Sequence, residues 1–318
     1  MQRIVFLERN TFKVEFRRPQ FVHEWIDYGE TSSGQIVERL QDATIAICNK
    51  LPLREPELSR LPHLKLIAVA ATGVDNIDLD YCRQRGIAVC NVRQYAGNSL
   101  PEHVLLLMLA LRRNLTAYLE DVRAEKWQQA KQFCLLDHPI HDLHGATLGI
   151  VGYGFLGQAV GSLAAAMGMK LLIAERKAAP TIRSGRVAFN QVLEVSDLIT
   201  LHCPLTDKTK NLIDRSELQL MKRDSLLINT ARGGLVNEKA LLEALREGLI
   251  GGAAFDVLSE EPPRSGNLLL DARLPNLIVT PHVASSTVAG RRRLYAHAVD
   301  NALNVLAGRP ATIVAAPV

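Results

Sequence analysis

The sequence predicts an α/β protein of two domains, each built on a parallel sheet, the second of them doubly wound. Three observations carry this expectation. The chain has 318 residues, and at roughly 150 residues per domain that is two domains, each able to bury its own core. Short apolar runs rich in β-branched residues alternate with polar, helix-compatible stretches, the pattern of βα units. Four such runs fall before residue 98 and six between 145 and 282, so the series is interrupted once.

In order, RIVFL at 3–7, ATIAIC at 43–48, KLIAVA at 65–70 and IAVCN at 87–91 read as buried parallel strands, because strands covered on both faces are continuously apolar. From 99 to 120, SLPEHVLLLMLALRRNLTAYLE reads as one long connecting helix, with Ser99 as N-cap, Pro101 in the first turn and Glu102 three residues on. A polar stretch without periodicity runs to His144. The second series is ATLGIVG, KLLIAE, DLITLHC, SLLINTA, GGAAFDV and NLIVTPH, six strands of a doubly wound sheet. Residues 285–307 read as one amphipathic helix, which must bury its apolar face on something already built, and the first domain is the economical place. The expected domains are 1–98 with 285–318, and 99–284.

Composition excludes several classes. The formal charge of +4 is an excess of 37 Lys and Arg over 33 Asp and Glu, spread along the chain, and gives no argument for nucleic acid. The run Arg291-Arg292-Arg293 reads as a solvated helix face. Five cysteines, Cys48, Cys82, Cys90, Cys134 and Cys203, form no C-x-x-C pair and suit a reducing, cytoplasmic compartment. The N-terminus has no long apolar stretch before a cleavage site, and the run VLLLMLAL at 104–111 is too short to span a bilayer, so no membrane is expected.

The run GIVGYGFLGQAVG places Gly152, Gly154 and Gly157 directly after a strand and at the start of a small-residue helix, the context in which G-x-G-x-x-G points to a dinucleotide. Gly152 permits the tight turn and Gly154 the approach of a pyrophosphate. Gly157 allows close helix–sheet packing, and the helix N-terminus, with Phe155 and Leu156, faces the phosphates. The next strand ends at Glu175, where a carboxylate would accept hydrogen bonds from the ribose 2′-hydroxyl and disfavour a 2′-phosphate. Arg176 and Lys177 follow and could instead hold that phosphate, so NAD is expected and NADP stays open.

Moving a hydride onto a keto carbon creates an alkoxide, so such a site needs a proton donor, and a substrate carboxylate needs a cation or backbone donors. Ligands of open α/β sheets bind beyond the carboxyl ends of the strands, and three candidates fall just past such ends: Arg232, Glu261 and His282. Histidine can give and take the proton, and a carboxylate beside it stabilises the imidazolium. The planar fork of Arg232 suits bidentate capture of a carboxylate, which lysine would not reproduce.

Together with AATGVDNID at 70–78, LHCPLT at 201–206, LINTARGGLV at 227–236, FDVLSEEP at 255–262 and TPHVASST at 280–287, these motifs make the chain resemble the D-isomer-specific 2-hydroxyacid dehydrogenases over nearly its whole length. The resemblance implies a Rossmann-type NAD domain, a smaller flavodoxin-like substrate domain, an active site in the cleft and a homodimer. It places the catalytic arginine, glutamate and histidine on Arg232, Glu261 and His282. It implies that Ala71, Thr72, Gly73 and Val74 turn backbone N–H groups onto the substrate carboxylate, and that His202, Pro204, Thr230, Ala231 and Asp256 line the cofactor. For Asp256 a structural strand-end cap is the alternative. HPIHDLHGATLGIVGYGFLGQAVG and GMKLLIAERK resemble the glycerate dehydrogenase, or hydroxypyruvate reductase, branch, which implies hydroxypyruvate or glyoxylate as substrate. Many of that branch carry a tryptophan shortly after the catalytic histidine, where this chain has Val-Ala-Ser-Ser-Thr.

His138, His141 and His144 lie three apart, but only Asp137 and Asp142 accompany them and hydride transfer needs no metal, so a polar loop is the expected reading. Cys203 reads as a packed strand-end residue, since no group to orient a thiolate is apparent. The rivals are a non-catalytic NADH sensor of corepressor type, 3-phosphoglycerate dehydrogenase, and formate dehydrogenase, whose members place glutamine where Glu261 stands.

Overall fold

Residues 1–11, 21–306 and 312–315 are described by a computed structural model of the protein. Residues 12–20, 307–311 and 316–318, which the expected first domain includes, lie outside the described residues. The chain divides into two units, Met1–Ala96 with Thr287–Val318, and Gly97–Ser286.

The first unit holds β1 (Gln2–Phe6), β2 (His23–Asp27), β3 (Ile45–Cys48), β4 (Leu66–Val69) and β5 (Ala88–Asn91), and, from the chain's end, β12 (Ile313–Ala315). They form one sheet in the order β12-β5-β4-β3-β1-β2. The first five strands are parallel, and β12 joins β5 antiparallel. Without β12 the order is 2-1-3-4-5, the flavodoxin-like winding. Period-2 alternation sorts the strand residues onto two apolar faces. Val5, Ala46, Cys48, Ile67, Val69 and Val89 pack on one side, and Ile4, Phe6, Ile45, Ile47, Leu66, Ala68, Ala88 and Cys90 on the other. The helix Val288–Leu306 covers the second face with Leu294, Tyr295, Ala298, Val299 and Ala302. Each large apolar side chain buried this way contributes roughly 1.5–3 kcal/mol.

The second unit's sheet contains the six expected strands, β6 (Thr147–Val151), β7 (Lys170–Ile173), β8 (Leu198–Leu201), β9 (Leu226–Asn229), β10 (Gly252–Phe255) and β11 (Leu277–Val279). All are parallel in the order β11-β10-β9-β8-β6-β7. The winding reverses at β6, since β7 lies on one side of it and β8 on the other, and ligands of such sheets bind at that switch point.

Three sequence expectations are corrected. Strands β2 and β12 were not anticipated. HEWID mixes charged and apolar residues because β2 is an edge strand with every described position only half-buried or exposed, and β12 is three residues long. The single helix expected over 99–120 is two, Ser99–Arg112 and Leu115–Arg123. Asn114 breaks it in the left-handed region (φ 48°), where asparagine is tolerated. Its Nδ2 donates to the Pro139 carbonyl at 2.6 Å, and the Arg112 carbonyl, which a continued helix would have used, accepts from His141 N at 2.9 Å instead. The N-cap is Asn98 rather than Ser99, and the Ser99 hydroxyl is buried with no hydrogen-bond partner among the described residues.

Candidate active site

The first part of the site is the turn after β6. Gly152 has φ 93°, and a Cβ on it would stand 2.6 Å from Cys203 N, so this turn and the end of β8 approach each other backbone to backbone. A Cβ on Gly157 would lie 2.2 Å from the Gly152 carbonyl oxygen, which makes glycine the condition for packing the helix Phe155–Ala166 against β6. Around the Cβ direction of Gly154 there is open space to 4 Å. The helix begins one residue later, so its unpaired N–H groups and the positive end of its dipole lie next to that space. Phe155 is exposed there and Leu156 half-buried.

Beside this turn lies a pocket of about 940 Å³, lined among others by Gly152, Gly154, Glu175, Arg176, His202 and Pro204. Of the expected cofactor residues, Phe155, Leu156, Gly157, Thr230, Ala231 and Asp256 do not line it. His202 sits at the end of β8 with Nε2 3.0 Å from the Thr200 hydroxyl. Desolvation lowers its pKa to about 4, so the imidazole is neutral near pH 7. Thr230 is buried and its hydroxyl has no hydrogen-bond partner among the described residues, an orphan group of the kind that a ligand satisfies. Together with the space over Gly154 and the helix N-terminus, this makes the donor set fit a dinucleotide.

Glu175 departs from the sequence expectation. Its carboxylate is buried and gripped by Arg183, with Nε donating at 2.7 Å and Nη2 at 2.6 Å. The backbone N–H groups of Arg176 and Arg183 also donate to it. These bonds, the Arg183 fork above all, hold its pKa down at about 2. Arg183 lies across a turn, eight residues on, and no sequence spacing signalled the pairing.

The second part is built where β9, β10 and β11 end side by side. Their last residues are in register, Phe255 with both Asn229 and Val279, so Arg232, Glu261 and His282 leave from one edge of the sheet. Buried Asn229 clamps the first loop: its Nδ2 donates to the Arg232 carbonyl at 2.8 Å and its Oδ1 accepts from Ala231 N at 3.1 Å. The Arg232 guanidinium donates to the Ala231 carbonyl at 2.8 Å. A Cβ on Gly233 would fall 1.9 Å from the Leu258 carbonyl carbon, so the arginine loop rests directly on the backbone of the glutamate loop. In that loop Leu258 N donates to Glu261 Oε1 at 2.9 Å, while Oε2 is 2.7 Å from His282 Nδ1.

His282 itself has φ 55°, a conformation that costs a non-glycine residue roughly 1–2 kcal/mol. Asp256 supports it. Its carboxylate accepts from the Thr280 hydroxyl at 2.5 Å, Val283 N at 2.9 Å and Ala284 N at 2.8 Å, and its carbonyl accepts from His282 N at 2.8 Å. His103 adds a ring nitrogen 3.1 Å from the Thr280 hydroxyl. Asp256 thus has the bonds of the strand-end cap weighed from sequence. Asn229 and His103 were missed, although a polar residue closing the apolar run LLIN was a usable signal for the first.

The arrangement can move a proton. With the proton on Nδ1 directed to Glu261, Nε2 of His282 is left to a substrate oxygen. Arg232 adds a cation on the neighbouring loop. The Ala71–Val74 loop follows β4 in the other unit, where the Thr72 carbonyl accepts from Asn91 Nδ2 at 2.6 Å and the Thr72 hydroxyl donates to Val92 O at 2.8 Å. Of the histidines in the 138–144 stretch, His138 has structural contacts: it lies 2.8 Å from Asp121 and packs edge-on against Tyr118. Among the described residues no three His, Cys, Asp or Glu are grouped to hold a metal, and no helix is long and apolar enough to cross a membrane.

Residues 105–284 match the profile described as "D-isomer specific 2-hydroxyacid dehydrogenase, NAD binding domain". The chain is 50% identical to a glycerate dehydrogenase of Methylorubrum extorquens over 316 residues, 99% of each chain. It is 32% identical to a hydroxypyruvate reductase of Blautia hydrogenotrophica over 96% of each. Among solved structures, an NADPH-dependent glyoxylate/hydroxypyruvate reductase of Sinorhizobium meliloti, in complex with citrate, superposes with TM-score 0.83 and 25% identity, over 99% of this chain and 98% of that one.

Proposed function

Since the chain belongs to the D-isomer-specific 2-hydroxyacid dehydrogenase family and is an NAD(P)-dependent oxidoreductase, we propose that its substrates are hydroxypyruvate and glyoxylate, reduced to D-glycerate and glycolate. The observation that carries the catalytic assignment is the 2.7 Å contact of His282 with Glu261, on loops that the Arg232 turn braces. The names of the relatives point to the substrate.

The nicotinamide cofactor supplies the hydride for the keto carbon. Arg232 holds the substrate carboxylate through its guanidinium fork and turns the carbonyl toward His282. His282 Nε2 gives its proton to the carbonyl oxygen as negative charge develops there, and recovers one from the hydroxyl in the reverse direction. Glu261 keeps the ring oriented and stabilises its charged form. Ala71, Thr72, Gly73 and Val74 are assigned to the carboxylate through backbone N–H groups. Gly152, Gly154, Phe155, Leu156 and Gly157, with His202, Pro204, Thr230 and Ala231, are assigned to the cofactor.

The test is the initial rate of NADH and NADPH oxidation against hydroxypyruvate, glyoxylate, pyruvate and phenylpyruvate. Highest kcat/KM with hydroxypyruvate or glyoxylate is expected. A higher value with phenylpyruvate would overturn the substrate assignment, and cofactor binding without turnover of any of the four would favour a sensor.

The working form is proposed to be a homodimer in the cytoplasm. The segment 115–136 exposes Leu115, Leu119, Val122, Trp127, Phe133 and Leu136, a concentration of apolar surface of the kind that marks an interface. Sedimentation should give about twice the 35.0 kDa chain mass, and Phe133→Asp should shift the equilibrium toward the single chain. All five cysteines are free thiols, which supports a reducing compartment.

A further inference from the structure

We propose that Arg183 turns Glu175 from a ribose-recognising acid into the floor of a 2′-phosphate subsite, so that the chain prefers the 2′-phosphorylated cofactor, NADPH, to NADH. The proposal rests on the dehydrogenase reading and deepens it.

A carboxylate at the end of β7 selects against a 2′-phosphate for two reasons. It offers lone pairs to the ribose hydroxyls, and it repels a second anion. Glu175 is placed to do neither. A carboxylate has about four lone-pair positions, and four N–H groups point at this one. Oε1 accepts from Arg176 N at 2.8 Å and Arg183 Nη2 at 2.6 Å, and Oε2 from Arg183 N at 3.2 Å and Arg183 Nε at 2.7 Å. Only 3% of Glu175 is exposed, whereas 55% of the Arg183 side chain is, so a ligand meets the arginine and not the acid. The low pKa of Glu175 keeps the pair ionised at every pH where the protein would work.

The surroundings have the matching sign. Besides Arg183, the pocket is lined by Arg176, Lys177, Arg186 and Lys208. Lys177 is paired with Glu217 at 3.0 Å, and Glu175 with Arg183. Arg176, Arg186 and Lys208 are then the lining cations that these two pairs leave unbalanced. Arg186 is held in the wall by its bond to the Ala174 carbonyl at 3.1 Å, its guanidinium 5.8 Å from the centre of the Tyr153 ring. A group bearing close to two negative charges fits that field, and guanidinium forks match its oxygens.

The test uses two ligands that carry no nicotinamide and need no turnover, ADP-ribose and 2′-phospho-ADP-ribose, titrated calorimetrically into the full-length protein. The 2′-phosphate should bind at least tenfold more tightly, with an advantage that shrinks as salt is added. Arg183→Ala should remove most of that advantage and tighten ADP-ribose, because Glu175 is then released to the ribose; Arg183→Gln serves if the alanine variant folds poorly. Equal or tighter binding of ADP-ribose by the unaltered chain would overturn the proposal while leaving the dehydrogenase reading intact. Failure of both ligands to bind would remove the two together.

Discussion

His282 sits in a backbone conformation that histidine does not choose, and four hydrogen bonds to Asp256 hold it there. The imidazole is therefore aimed before any substrate arrives. His282→Ala should lower kcat by about 10² to 10⁴ and leave binding of the reduced nicotinamide cofactor, followed by its fluorescence, within a factor of two or so. A near-normal rate would remove His282 from proton transfer. His202 gives a prediction of another kind. Its folded-state pKa of about 4 lies below the ordinary 6.5, so between those values the unfolded chain binds more protons and stability falls as pH falls. Replacing it with Gln should flatten the acid side of the stability curve between pH 6.5 and 4 in urea titrations. Glu175 acts lower down. Its pKa is depressed from 4.5 to about 2, so its contribution is complete above about pH 4.5 and disappears as pH approaches 2. That Arg232, Glu261 and His282 follow strands which end side by side could be read from sequence, because each comes a few residues after an apolar run. The Glu175–Arg183 pair could not, since whether an arginine eight residues away reaches back depends on the path of the turn between them.

At the scale of elements, the central strands of the two sheets could be read because burial on both faces leaves unbroken apolar runs. The misses follow the same physics. Strand β2 is half-wet and so carries no such run, β12 is too short to have a pattern, and the break at Asn114 answers to hydrogen bonds from a distant segment. The loops beyond β9 and β10 make the sharpest prediction. Gly233→Ala must push Cβ into the Leu258 backbone, displacing the Arg232 turn and the Glu261 loop together. A stability loss of about 1–3 kcal/mol and a fall in kcat/KM of about 10²-fold are expected, measured by denaturant unfolding and initial rates on the same preparation. Gly154→Ala should behave differently. Nothing in the protein crowds its Cβ, so stability should hold within about 1 kcal/mol while cofactor affinity drops.

At the scale of the whole molecule, the two sheets differ in how their residues are ordered along the chain. One unit is a single continuous stretch, Gly97–Ser286, and the other joins Met1–Ala96 to the last residues. The expectation that the terminal helix returns to the first sheet rests on its amphipathic pattern and on the family resemblance, and the helix lies on β4 and β5 with Tyr295 fully buried against Phe6. Tyr295→Ala should cost about 3–5 kcal/mol, read as a lower denaturant midpoint for the first unit.

That covering helix also sets a timetable. A ribosome delivers the chain from its N-terminus, and domains made first usually fold first. Here the earlier-made sheet must wait, with Phe6, Ile47, Leu66 and Ala68 bare on one side, until nearly three hundred residues have been translated, whereas the later-made unit is complete once Ser286 has emerged. A nascent chain stalled there should show protease resistance over 97–286 and cleavage within 1–96. The protein thus spends its synthesis with an adhesive surface exposed, and that interval is when a holdase chaperone would be most needed.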